Sequence, residues 1–443
     1  MTEEETTKTA DRAGEKHSLQ NRGELFFGSL QWFSFFLSNT VAMPIVIGQV
    51  FQLSAVETAE LMQRAFFVIG AASFLQGWLG HRYPVADGPA GVWLGVFILM
   101  GETALRQGGE PLEILRLLEG GMLLAGLLLI LLALTGAVRR VAALFTPLVT
   151  GVYLILLVFQ LSGVFLQGML GVDEASRIHP LTALCSFGIL ALVIGISVRG
   201  SGWVKHYSVL IGILVGWALF VLLGRATPPS PSGGWFQFPE VFAWGNPELD
   251  PGMALSALLI ALILLSNLVA TMAAASQVLG PSRGGNRSAL ARGSLLNGVA
   301  NGLAAFFSSV GTIPLSSSAG FMRMTGLHSK APFLIGSTAV IGIAFLPGLA
   351  SILAALPGPV AYAVLMASFV HILGIGLDHL TRHPMTERRM TISGIALIVG
   401  VGVMFVPADA FSGLPSILRF IVGNGLLIGT FTAVLLDRLW RED

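Results

Sequence analysis

Apolar runs of about 20 residues, the length of helix that crosses a bilayer, recur along this chain from Leu25 to Leu439, with short polar segments between them. Each run predicts one spanning helix. In the first part of the chain they cover about 25–49, 59–79, 114–136, 145–166, 180–198 and 206–223. In the second part they cover about 253–279, 331–346, 390–406 and 417–436, with one more after the basic loop 280–291 and another opening at Pro357.

Two places break this pattern. Pro84, Gly88, Pro89 and Gly91 fall within Tyr83 to Trp93, and Gly311, Pro314 and Gly320 flank Ser316, Ser317 and Ser318. Proline and glycine at this density interrupt a helix. Interrupted backbone at membrane depth is tolerated only when buried in protein or lining a cavity. Counted as spans 3 and 10, with Pro84 and Gly91 answered by Pro314 and Gly320, the interruptions bring the total to about 14 spans.

The spans also repeat. Leu37-Ser38-Asn39 returns as Leu265-Ser266-Asn267, and Gln49, Arg64, Gly70 and Leu75 return at the same offset as Gln277, Arg292, Gly298 and Leu303. A period this long is no solenoid unit. It predicts two homologous halves, the layout of many secondary transporters, whose sites lie where the halves meet. Seven spans per half is an odd number, so the repeat is inverted. The expected fold is an all-α polytopic membrane protein: a cytoplasmic tail at 1–22, a first repeat at 23–224, an extracytoplasmic linker at 225–252 and a second repeat at 253–443.

Composition supports a membrane protein, with 54% hydrophobic and 11% charged residues against about 25% charged in soluble domains. The net charge of +1 says little; its distribution says more. Arg and Lys gather in alternate segments, namely Lys8 to Arg22, Arg82, Arg139 with Arg140, Arg199 with Lys205, Arg283 with Arg287, Lys330, Arg388 with Arg389, and Arg438 with Arg441. By the positive-inside rule both termini are cytoplasmic. The tail is expected to be disordered, with no cleaved signal peptide behind it, and Cys185 is the sole cysteine. No metal-ligand cluster, phosphate loop or nucleophile motif stands out. The chain is therefore not expected to be an enzyme, to carry a cofactor or metal, or to bind nucleic acid.

Four stretches resemble the nucleobase/ascorbate transporter family, the uracil and xanthine permeases: Leu30-Gln31-Trp32 with Thr40, Val41 and Pro44; Pro84 to Trp93; Asn297-Gly298 to Gly320 with Met324-Thr325-Gly326; and Pro357 to Gly376. The resemblance implies short strands within spans 3 and 10 that pair beside the substrate. It also implies a core of spans 1–4 and 8–11, a gate of spans 5–7 and 12–14, and a homodimer made through the gates. The family's span 8 carboxylate falls at Asn267, its span 10 acidic or amide group at Ser317, and its first-span histidine at Trp32.

A carboxamide carries both donor and acceptor, so Asn267 can pair with a nucleobase edge, and Thr271 one turn on faces the same way. Ser316 and Ser317 offer hydroxyls, and Gly91 and Val92 an opposing backbone. For each polar group the alternative is a hydrogen bond between packed helices, and that is the reading favoured for Asn39. Asp87 is the candidate proton carrier in place of the missing span 8 carboxylate. It reads otherwise as an exposed residue near Arg82. Arg323 either neutralises Asp87, attracts an anion or snorkels to the interface. His371 is a second proton-relay candidate. The sum is a cell-membrane permease for a purine- or pyrimidine-like solute, coupled to a proton and embedded in lipid. An anion carrier of the sulfate or bicarbonate type on the same fold and a non-transporting membrane sensor are the alternatives.

Overall fold

The structure, a computed structural model, describes residues 23–107, 110–138, 140, 146–172, 177–226, 228–229, 234–280, 287–407, 410, 422 and 424–440. The tail at 1–22 and the expected start of the last span at 417 lie outside the described residues.

Helix α1 spans Gly23–Val50 and has a turn at Val41, just ahead of Pro44. Proline brings no N–H, so the Thr40 carbonyl loses its helical donor there. The polar side chains of α1 turn back on their own helix: Ser34, Ser38 and Thr40 donate to carbonyls four residues earlier at 2.9, 2.7 and 2.8 Å. Helix α2 (Ala55–Trp78) starts on a capping box in which Ser54 and Glu57 satisfy each other's backbone N–H.

Strand β1 (Asp87–Pro89) and α3 (Gly91–Gln107) follow, then α4 (Pro111–Leu134), α5 (Pro147–Leu170), α6 (Pro180–Arg199) and α7 (Ser208–Leu222). Beyond the linker come α8 (Pro251–Leu279), α9 (Arg287–Phe306), β2 (Thr312–Pro314), α10 (Ser317–Thr325), α11 (Lys330–Ile343), α12 (Pro347–Ala354), α13 (Gly358–Thr381), α14 (Glu387–Met404) and α15 (Gly425–Leu439). Proline opens α4, α5, α6, α8 and α12, where its missing N–H costs nothing.

Among the described residues six helices are long and apolar enough to cross a membrane: α1, α4, α5, α6, α8 and α13. The pair α11 and α12 passes that test together but bends by 89° at the break before Pro347. The sequence gives no separate helix there; Pro347 ends one and nucleates the next. Large apolar side chains such as Leu184, Leu222 and Ile398 stand exposed at 71%, 84% and 75%, on the faces that a bilayer would cover.

Packing divides the helices into two sets. Helix α4 packs on α9 and α8, and α2 on α11 and α12, while α5 packs on α13 and α15, α6 on α7 and α13, and α14 on α15. The sets meet where α1 touches α13 and α3 touches α5. The linker seals one end of the first set: Gln237 N–H donates to Phe345 O at 3.1 Å, Phe242 to Phe306 O at 2.9 Å, and Arg116 Nε to Trp244 O at 3.0 Å.

Close approach within the first set is made by glycine. A Cβ on Gly70 of α2 would lie 3.0 Å from Ile341 N of α11, and one on Gly298 of α9 would lie 3.0 Å from Ile130 N of α4. These two glycines are 228 positions apart. Other positions at that offset also behave alike. Arg64 Nε on α2 donates to Ser308 O beyond α9 at 3.1 Å, and Arg292 Nε on α9 donates to Gly80 O beyond α2 at 3.1 Å. Ser73 Oγ on α2 accepts from Asp87 N of β1 at 2.9 Å, and Asn301 Nδ2 on α9 donates to Thr312 O of β2 at 3.1 Å.

The strands pair antiparallel with Asp87 opposite Pro314, Gly88 opposite Ile313 and Pro89 opposite Thr312. They extend at both ends through Ala90 N to Gly311 O and Leu315 N to Ala86 O, each 2.8 Å. The equivalence expected between Pro84 and Pro314 is thereby corrected. Each strand ends on a proline, so Pro89 is the positional counterpart of Pro314, although across the ladder Pro314 faces Asp87.

Candidate site where two broken helices meet α8

Helix α8 passes the end of β2 and meets it through one hydroxyl. Thr271, fully buried, has Oγ1 2.8 Å from Ser316 Oγ, 3.3 Å from Pro314 O and 3.2 Å from Asn267 Oδ1. A hydroxyl has one proton to give. With Ser316 donating to Thr271, the Thr271 proton is left for Asn267 or Pro314. The half-buried Asn267 then presents Nδ2, which bonds no described residue.

The three serines of β2's edge divide their work. Ser316 joins Thr271. Ser318, fully buried, accepts from Ala86 N at 3.1 Å and so clips β1 to α10. Ser317 is exposed at the first turn of α10. Helix α3 likewise starts at Gly91, directly after β1. At the start of α10 the Ser318 and Ala319 N–H groups donate to Leu315 O and Ser316 O at 3.0 and 3.1 Å, and both helix starts carry positive dipole ends. Val92 is buried, whereas Gly91 is half-buried and faces the second helix set: a Cβ there would lie 3.5 Å from Phe369 Cζ and 3.8 Å from Leu157 Cδ2.

Asp87 is fully buried, and neither carboxylate oxygen has a hydrogen-bond partner. The expectation of an exposed residue beside Arg82 is corrected: the ladder with β2 and the Ser73 bond draw Asp87 inside. Arg323 stands exposed in the last turn of α10 and does not neutralise it; a cation there complements the helix C-terminus.

Trp32 is brought to α10 as part of an aromatic cluster, with its ring centroid 4.6 Å from Phe321 and 5.0 Å from Phe333. Asn39 is exposed and donates through Nδ2 to Phe35 O of its own helix at 2.7 Å. His371 is exposed on α13. The structure thus gathers Asn267, Thr271, Ser316, Ser317, Asp87, Gly91 and Val92 around the strand pair. It leaves Trp32 in the aromatic cluster, Asn39 bonded to its own helix, and Arg323 and His371 exposed.

Sequence reasoning missed Ser73 and Asn301, which hold the strands, although their 228-residue spacing was there to be read. It also missed Phe369, buried against Phe165 at 4.9 Å between ring centroids. Nothing in its surroundings in the chain separates it from other span phenylalanines.

Two paired strands inside a helical molecule, each followed by a helix start, and a polar side chain from a third helix that meets β2 make up the candidate site. The chain belongs to the Permease family Xan_ur_permease, whose model it matches over residues 23–409. It is a multi-pass membrane protein. It is 32% identical to the "Putative purine permease YwdJ" of Bacillus subtilis (strain 168) over 95% of this chain and 97% of that protein. It is 23% identical to the "Uric acid permease PucK" of the same organism, over 95% and 96%. Among solved structures, the transmembrane domain of the cyanobacterial bicarbonate transporter BicA superposes with a TM-score of 0.60 at 14% identity, over 93% of this chain and 97% of that one. The murine anion transporter Slc26a9, in its inward-facing state, does so with 0.60 at 14%, over 94% and 67%. These likenesses show the fold.

Proposed function

We propose that the protein is a secondary transporter for a purine or pyrimidine nucleobase. The observation that carries this reading is the Asn267–Thr271–Ser316 chain of side chains laid along the β2 backbone. In it the free Asn267 amide offers a donor to a base carbonyl, and the positive dipole ends of α3 and α10 favour further acceptors. Gly91 packs towards Phe369 and Leu157 of the second helix set, so a base held here lies at the seam between the two sets. The names of the relatives support the substrate class. The likeness to bicarbonate and anion transporters concerns the fold and does not favour an anion as cargo.

On this reading the chain makes 14 spans as a seven-plus-seven inverted repeat, with β1 and β2 interrupting spans 3 and 10 at membrane depth. Residues 23–224 and 253–443 are the repeats and both termini are cytoplasmic. The paired glycines, arginines and strand holders at the 228-residue offset support the repeat. The first helix set acts as the core that carries the site, the second as the gate past which it moves, and the gates are the surface for a homodimer within the lipid. Asp87 is the proton carrier. Its place directly opposite Pro314 in the ladder, whose carbonyl meets Thr271, supports a link between proton and substrate.

Uptake of a panel of radiolabelled nucleobases by cells lacking their own permeases tests the proposal. Saturable uptake of at least one base, undiminished by sulfate or bicarbonate, is expected. Accumulation of sulfate or bicarbonate instead of any base would overturn it.

A further inference from the structure

The two arginines related by the 228-residue offset meet different surroundings. At the Arg64 end, Ser308 Oγ donates to the buried Glu119 and Trp244 covers the guanidinium at 5.9 Å from the ring centroid. At the other end the half-buried Arg292 opens on a cavity of about 780 Å³, within the range of organic-ligand pockets, about 300–1,000 Å³. Its lining includes Arg82, Lys330, His81, His328 and Ser329 as well as Arg292, and no carboxylate. Among the described residues Arg82, Arg292 and Lys330 make no ion pair.

Helix ends add to this positive field. Ser329 caps α11 without a side-chain bond, and Lys330 and Ala331, the first residues of that helix, line the cavity. Their N–H groups have no intrahelical acceptor, the arrangement that binds phosphate at other helix starts. Ala289, in the first turn of α9, lines it too.

His81 borders this cavity but is itself 1% exposed. Its Nδ1 accepts the Tyr83 N–H at 3.0 Å, and burial pushes the imidazole down to about 3. The ring is therefore neutral with its proton on Nε2, and this buried donor has no partner in the protein. Arg82 sits at φ 65°, a left-handed conformation that glycine adopts without strain.

We propose that this cavity binds a phosphate group, held by Arg82, Arg292 and Lys330. The group is carried either by an anionic lipid headgroup or by a soluble organic phosphate. Binding is tested on the purified full chain in detergent by titration with dioctanoyl phosphatidylglycerol and with glycerol 3-phosphate, using dioctanoyl phosphatidylcholine as the control. Saturable binding of one or both anionic probes is expected, with none by phosphatidylcholine. Affinity should fall by about tenfold or more when Arg82→Gly is combined with Lys330→Gln, since each charged hydrogen bond is worth about that factor. Binding of the lipid alone assigns the headgroup; comparable binding of glycerol 3-phosphate assigns a soluble phosphate.

No saturable binding of either probe, equal binding of phosphatidylcholine, or an unchanged affinity in the double variant would overturn the proposal. Arg82→Gly alone guards against misfolding, because glycine fits the backbone at that position. An unaltered thermal transition with weakened binding supports the site, and an unaltered transition with unchanged binding sinks it.

Discussion

Arg64 and Arg292 each hold the chain end of the other's helix: Arg64 Nε reaches Ser308 O past α9, and Arg292 Nε reaches Gly80 O past α2, both at 3.1 Å. Two helices that clasp each other this way are fixed in both direction and register. A charged donor on a backbone carbonyl is worth about 1.5–3 kcal/mol. The two bonds are not equal in cost when broken, because Arg64 is 3% exposed and Arg292 is half-buried. Arg64→Ala should therefore lower the thermal unfolding temperature of the purified protein more than Arg292→Ala. Equal shifts would show that burial does not set the worth of the clasp.

The paired glycines give a second test. On Gly70 and Gly298 a side chain would press against the Ile341 and Ile130 backbone, not against a flexible tip that can move. Overpacking of this kind costs about 1–3 kcal/mol. Gly70→Val and Gly298→Val should each lower thermal stability, while Gly302→Ala, where an added Cβ meets nothing within 4 Å, should leave it unchanged. A neutral Gly298→Val would mean that α4 and α9 pack less closely than the structure has them.

Much of this fold was legible because the bilayer sets the length of a run and because Pro and Gly punctuate helices wherever they cluster. Helices α4, α6, α7 and α8 begin and end within three residues of the runs that predict them. The offset of 228 was readable from identical residues, but the register of the strands was not. The offset shifts to 225 between Pro89 and Pro314, and identity alone pointed to Pro84. Partners of differing type, such as Ser73 and Asn301, escape any search for identity although they do one task. At the candidate site, Asn267 was singled out by the repeat and by the family resemblance, and Thr271 by its spacing one helical turn on. Phe369 was not, since only the approach of α13 to Gly91 sets it apart from other apolar residues of a span.

The hydroxyl of Thr271 joins Asn267, Ser316 and Pro314 O, so its removal tests the site with little change of volume. Thr271→Val leaves the Pro314 carbonyl without this donor, a loss of about 1–3 kcal/mol for a buried group. If the same arrangement grips the solute, KM for the transported base should rise by about tenfold for each 1.4 kcal/mol lost. Asn267→Ala should abolish saturable uptake, with the protein still present in the membrane. Unchanged uptake kinetics in both variants would take the site away from α8.

Asp87 offers the sharpest separation of coupling from binding. Its carboxyl group lies on β1 with neither oxygen bonded, held in place through its own N–H to Ser73 and through the ladder to Pro314. Those backbone bonds do not depend on the side chain, so Asp87→Asn, which keeps the shape and removes the exchangeable acid, should fold and bind as before. In reconstituted vesicles the variant should still exchange labelled for unlabelled base. It should no longer concentrate the base when an inward proton gradient is imposed, because no group remains to carry the proton across with it. Retained accumulation under the gradient would remove Asp87 from the coupling path. Loss of exchange as well would place it in the substrate site itself.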